Sequence, residues 1–288
     1  MFSPTRTKGL RMNTTLRTTI LLALLSGLFL TVGYAIGGNS GATVALVVAV
    51  VVNAVSYFYS DKIVLSLHQA KKMSPSSELQ KELHALAQRA NMPTPKLYTF
   101  TSPEPNAFAT GRNQENGVIA VSSGLLKQLH NDEVRGVLAH ELAHIKNRDM
   151  LLTSIAATFA AAISYLGNLL FFLPTSNSDE DSNPAAALFL MIVSPVVATI
   201  IQLSVSRTRE YLADETGAAI AGSPTGLATA LAKIDAFYRN TPNSKNVERN
   251  ATAHLYIASP LSAGSLSGLF STHPPVKERI KRLQSMTY

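Results

Sequence analysis

The segment His140-Glu141-Leu142-Ala143-His144 puts two imidazoles and a carboxylate within five residues. On a helix, positions four apart lie about 40° apart around the axis, so both imidazoles can reach one ion. Glu141 points about 100° away from His140, so it stands beside that ion without ligating it. Imidazole nitrogen is a preferred ligand for Zn²⁺. The chemistry this set could do is hydrolysis, with His140 and His144 holding the metal and Glu141 deprotonating the attacking water. Chance produces the pattern in on the order of one per cent of chains of this composition. Here it lies in an apolar stripe of Val134, Val137, Leu138, Leu142 and Ile145, which predicts a packed helix over 132–148.

A catalytic zinc usually has three protein ligands and one open position. Glu210 is the candidate third ligand, with His130, His254 and His273 as alternatives. Asp214 follows Glu210 by one helical turn. It could accept a hydrogen bond from the far nitrogen of a ligating imidazole and so fix its tautomer. Glu210 is 66 positions from His144, so something must close that gap.

Hydropathy supplies the means. Mean hydropathy is +0.14 and only 15% of residues are charged. Residues 18–36, 42–59, 151–173 and 185–205 carry no charge, and each run is near the ~20 residues that an α-helix needs to cross a bilayer. The first two predict a transmembrane hairpin over 18–59, turning at 37–41. The second two predict another over 151–205, although such runs also suit buried core helices. A hairpin returns its two ends to one membrane face, so the second would bring Glu210 beside the histidines and set the site close to the membrane. The basic leader 1–17 resembles a secretion signal, but its apolar run is too long and a second follows at once, which favours an uncleaved anchor.

Charge sets the orientation. Arg6, Lys8, Arg11 and Arg17 precede the first run, Lys62, Lys71 and Lys72 follow the second, and Arg207 and Arg209 follow the fourth. The turns 37–41 and 174–184 hold no Lys or Arg, so both termini and the central segment belong in the cytoplasm. The net charge of +7 then reflects orientation and anionic lipid, and no aromatic-interleaved basic patch suggests nucleic acid. With no cysteine, disulfides and Cys-ligated zinc are excluded.

The polar parts, 60–150 and 206–288, would form one catalytic domain. Helices are expected over 77–91, 123–129, 206–221, 225–239 and 273–284, strands over 96–100, 106–111 and 118–122, and a loop region over 241–271. The fold class is therefore mainly α and integral to the membrane, with four spans and a cytoplasmic α+β domain containing a small sheet. If 106–111 or 118–122 is an open sheet edge, an extended peptide could add to it as a strand.

Taken together, these segments resemble the HtpX-type membrane metalloproteases, gluzincins related to the CAAX prenyl proteases. The resemblance rests on His140-Glu141-Leu142-Ala143-His144, on the run from Ser206 to Asp214, on Ser271-Thr272-His273-Pro274-Pro275-Val276-Lys277-Glu278-Arg279 and, more weakly, on Pro105-Asn106-Ala107-Phe108-Ala109-Thr110-Gly111. It implies a zinc endopeptidase of the bacterial inner membrane, facing the cytoplasm and acting in stress-linked quality control of misfolded membrane proteins. It also implies His140, His144 and Glu210 as ligands of one Zn²⁺, Glu141 as base and Asp214 as partner of a ligand. His273, Arg279 and Asn106 would touch substrate or transition state, and Asp149 would be a structural acid after the catalytic helix. Two competing readings are a CAAX-type enzyme trimming lipidated C-termini, disfavoured by only four spans, and an adaptor with structural zinc. Structural zinc normally takes four ligands, often Cys. A transporter is disfavoured because the four runs hold no charged residue.

Overall fold

A computed structural model describes residues 14–159, 207–241, 257 and 274–287. The chain divides into two compact units, Met1–Ala54 and Val55–Tyr288.

The first unit holds most of helix α1 (Thr14–Leu67), which breaks at Gly37 and Gly38. Gly38 has φ of 57° and ψ of −141°, a conformation open to glycine but not to residues with a Cβ. The chain doubles back there, inside the turn expected over 37–41. Gly33 then meets Gly41 and Ala45 so closely that neither glycine has room for a Cβ. Farther along the arms, Asn53 Nδ2 donates to Ser26 Oγ at 2.8 Å and to the Leu22 carbonyl at 3.4 Å. Small residues at close approach and an interhelical amide are how helices associate without help from water. The stretch Gly37–Leu67 is long and apolar enough to cross a membrane, with a mean hydropathy of 2.0 over its most apolar window. It is the one such helix among the described residues.

The second unit is built around a mixed sheet. Its strands are β1 (Lys71–Lys72), β2 (Lys96–Phe100), β3 (Ala107–Thr110) and β4 (Val118–Ser122), in the order β1-β2-β4-β3. β2 and β4 run parallel, with Leu97 opposite Ile119, while β3 runs antiparallel to β4, with Phe108 opposite Ala120. Both sheet faces are covered. Leu97, Ala107, Ala109, Ile119 and Val121 face the main core. Phe100, Phe108, Val118 and Ala120 pack with Val64 and Leu65 at the end of α1. β1 is an addition to the expected strands: two exposed lysines joined to β2 by backbone pairing.

The main core takes α2 (Glu78–Arg89), the short α3 (Ser123–Gln128), α4 (Asn131–Lys146), α6 (Arg207–Ala221), α7 (Thr225–Asn240) and α8 (Val276–Gln284). α5 (Met150–Phe159) continues from α4 and is apolar. Its Ser154 Oγ lies 2.7 Å from Thr110 Oγ1 on β3, and both groups are buried. The unit is mainly helical with a small mixed sheet, as the sequence predicts. The rest of the expected third and fourth spans, and nearly all of the loop region 241–271, lie outside the described residues.

α4 is the buried axis of this unit. Its start is fixed by Glu133, whose carboxylate accepts from the His130 backbone N–H at 2.8 Å and from Lys233 Nζ on α7 at 2.7 Å. Acidic residues in a first turn also suit the helix dipole. From Gly136 to Ala143 every residue of α4 is buried, so its polar members there must find partners inside the protein.

Candidate active site

α6 crosses α4 at one small residue. A Cβ on Gly217 would stand 2.9 Å from His140 Cα, so only glycine permits this approach. Glu210, Asp214 and Gly217 recur at i, i+4 and i+7, one stripe of α6. The close crossing therefore lays both carboxylates against His140. Gly217→Ala should lower stability by about 1–3 kcal/mol through overpacking. An open helix position would instead gain ~1 kcal/mol from the same change. A thermal melt of the purified variant reads the sign.

His140, His144 and Glu210 each turn a ligand atom to one point, all within 4.8 Å of one another. His140 Nε2 lies 3.1 Å from His144 Nε2. Glu210 Oε2 is 3.7 Å from His140 Nε2, and its Oε1 is 3.6 Å from His144 Nε2. Ligands about 2.0–2.1 Å from a tetrahedral Zn²⁺ stand ~3.3 Å apart, so the set fits that ion. The far side of each ring faces a carboxylate: His140 Nδ1 is 3.1 Å from Asp214 Oδ1, and His144 Nδ1 is 3.6 Å from Asp149 Oδ2. Those carboxylates favour protons on both Nδ1 atoms, which leaves both Nε2 lone pairs converging.

Arg279 closes the back of the site. Its Nε and Nη2 fork onto Asp214 at 2.9 and 2.7 Å, and Nη1 donates to the Ile257 carbonyl at 2.7 Å. Nη1 also stands 3.4 Å from Glu210 Oε2, and Nη2 stands 3.3 Å from His140 Nε2. The family resemblance puts Arg279 at the cleft. It is found wholly buried, committed to the carboxylates behind the ligands.

Charge completes the fit. Four carboxylates (Glu141, Asp149, Glu210, Asp214) and two guanidinium groups (Arg209, Arg279) surround the imidazoles among the described residues. With neutral imidazoles this leaves two negative charges, which one divalent cation would balance. Without a metal, a proton takes part of that place. Burial pulls His144 down, but Glu210, Asp149 and Glu141 outweigh it and raise its pKa to about 9. Burial also raises Glu141 above the usual carboxylate range, partly offset by His140 and His144. Burial pushes Asp214 up too, but Arg279 and His140 more than reverse this and hold it below that range. Because a metal can bind only after His144 gives up its proton, acid competes with the metal. Apparent zinc affinity of the metal-free protein should rise by about tenfold per pH unit from pH 6 to 8. Chelator competition at several pH values measures it.

Asn106 lies at the head of β3, the edge strand that packs beside α4. Its backbone is paired with Ser122, but both side-chain polar atoms are buried with no hydrogen-bond partner among the described residues. His130, an alternative ligand by sequence, is the N-cap of α4. His254 and His273 lie outside the described residues. Sequence reasoning leaves Asp149 without a partner and gives Arg209 no site role. The only local signal for Asp149 is a second acid five positions after His144.

A helix bearing both histidines, a carboxylate brought from a second helix and a mixed sheet alongside define a metallopeptidase. Residues 73–287 match the model of peptidase family M48, and the chain belongs to that family. Within it the chain is of the HtpX type. It is 48% identical over 284 residues to the Protease HtpX homolog of Syntrophobacter fumaroxidans, covering 96% of this chain and 100% of that one. It is 46% identical over 279 residues to the Protease HtpX homolog of Pelotomaculum thermopropionicum, covering 94% and 98%. Among solved structures, the crystal structure of Ste24p from S. mikatae matches with a TM-score of 0.51 and 22% identity. That match covers 93% of this chain but spans only 64% of the Ste24p chain, and it indicates a shared fold. The chain is thus a zinc metalloendopeptidase by family.

Proposed function

We propose that this chain is a membrane-bound protease that hydrolyses peptide bonds of misfolded or unfolded proteins, membrane proteins above all, at the cytoplasmic face of a bacterial inner membrane. The observation that carries this reading is the convergence of His140, His144 and Glu210 beside the buried Glu141. His140, His144 and Glu210 are the ligands of one Zn²⁺. When bound, that ion supplies acidified water and an electrophile for the carbonyl oxygen. Glu141 takes the proton of the attacking water and passes it to the leaving amine nitrogen. Its raised pKa suits it to both transfers. Asp214 orients His140, and Arg279 steadies Asp214 and Glu210. Asn106 meets the backbone of an extended substrate, because a buried amide with neither atom partnered is costly until a ligand satisfies it. β3, with no described strand on its outer side, is the edge to which such a substrate adds. β4 is internal and is excluded from that role.

Membrane placement has its own support. Near the end of the apolar stretch Gly37–Leu67 come Tyr57, Phe58 and Tyr59, each partly exposed. Lys62 Nζ sits 4.9 Å from the Tyr59 ring centre, and Arg112, from the β3–β4 connection, sits 5.6 Å from that of Phe58. Aromatic rings with cations on them are typical of the membrane–water boundary. The four-span layout and the cytoplasmic site rest on the uncharged runs and the Lys/Arg bias.

The test offers the zinc-loaded, detergent-purified chain two substrates: an unfolded membrane protein and a farnesylated peptide with a CAAX end. Internal cleavage of the unfolded protein is the expected result. Cleavage confined to the farnesylated peptide would move the function to C-terminal processing. Cleavage of neither, with zinc firmly bound, would favour an adaptor.

A further inference from the structure

Asp149 sits where a carboxylate is least expected. It follows the C-terminus of α4, the negative end of that helix's dipole, and its side chain is only 9% exposed. The chain is bent to put it there. Arg148 takes a left-handed φ of 61°, unusual for a residue with a side chain. The Asp149 N–H then bonds back to the His144 carbonyl at 3.0 Å, and the Arg148 N–H to that of Ile145 at 3.1 Å. This paired closure, a Schellman motif, returns Asp149 beneath the ring of His144, with Oδ2 3.6 Å from Nδ1. On its other side Oδ1 is 3.7 Å from Nη1 of Arg209, the neighbour of Glu210 on α6.

The ordinary explanation is that Asp149 caps α5, which begins at Met150. Aspartate is common at N-caps because its oxygen accepts from the first turn of the helix. Asp149 Oδ2 makes no such bond: it has no hydrogen-bond partner among the described residues and faces the imidazole, while Oδ1 stands toward Arg209. The arrangement repeats on His144 what Asp214 does for His140.

We propose that Asp149 is a positioning residue for the metal site: it holds His144 with Nδ1 protonated and Nε2 toward the ion, and through Arg209 it ties the end of α4 to the helix carrying Glu210. The inference rests on the zinc reading above. Asp149 touches neither metal nor substrate, so its effect belongs on metal affinity. Removing such an outer partner lowers affinity by about 10–100-fold.

The test uses the full-length, metal-stripped chain in detergent, with zinc affinity read by competition against a chromophoric chelator. Asp149→Ser keeps a good N-cap but is too short to reach His144, while Asp149→Asn keeps both the cap and an acceptor oxygen. The expected result is zinc binding about 10–100-fold weaker in Asp149→Ser and largely recovered in Asp149→Asn, with metal-free melting temperatures equal to wild type. Wild-type affinity in Asp149→Ser would overturn the proposal. Equal losses of affinity in both variants, matched by equal falls in metal-free melting temperature, would also overturn it and make Asp149 a structural charge paired with Arg209. If the Ser variant does not fold, Asp149→Thr, which also caps but is too short to reach His144, takes its place with the same expected and overturning results. A wild-type chain that binds no zinc would instead remove the zinc reading itself.

Discussion

Glu141→Gln is expected to abolish nearly all peptide-bond cleavage while the protein still binds one zinc. The substitution keeps size and shape but deletes the group that accepts the proton of the attacking water. General-base catalysis is worth roughly 10²–10⁴ in rate, so turnover should fall by at least that factor. Zinc binding should hold, because Glu141 is not one of the three converging donors. Loss of the buried charge should even stabilise the metal-free fold slightly, since burial already disfavours the ionised form of Glu141. Measuring kcat and zinc content on the same preparation separates the base from a ligand, whose loss would lower both together.

The second large effect falls on stability. Asp214→Asn leaves the guanidinium of Arg279 buried without its forked partner. Breaking a buried ion pair from one side typically costs about 3–5 kcal/mol. Glu210 Oε2, 3.4 Å from Nη1, compensates only in part because its charge is turned toward the histidines. Arg279→Met added to Asp214→Asn should therefore recover part of the loss, a coupling that a double-mutant cycle measures. The same pair gives stability a pH dependence. Arg279 and His140 depress the folded-state pKa of Asp214 despite burial. Its contribution is thus present above the unfolded value of ~3.9 and is lost as pH falls through the lower folded value. Acid unfolding of Asp214→Asn should be correspondingly less steep in that range. An unchanged melt at neutral pH would show that Arg279 needs no partner there.

Local spacing made part of this site readable and long-range packing hid the rest. The two histidines and Glu141 lie within five residues of one amphipathic helix, so pattern alone identified them. The helix ends at Lys146 rather than Arg148 because the left-handed turn at Arg148 closes it. Glu210 was singled out by topology, from the expectation that a hairpin of uncharged runs returns its ends to one membrane face. Arg279 sits in a short basic helix, and nothing in its local sequence marks it for burial. It is buried because Asp214 comes to it from another element. Gly217 reads as a weak helix former, and its importance exists only against His140. The two-residue β1 carries no hydrophobic alternation and is made by backbone pairing alone.

The most direct test of the central claim is to strip the purified chain of metal, add zinc in measured steps and follow cleavage of an unfolded protein at each step. Activity that is absent at first and rises to a plateau at one zinc per chain, with no rise in His144→Ala, is the predicted result. Cleavage that persists without metal, or one zinc bound per chain with no cleavage at any step, would contradict it.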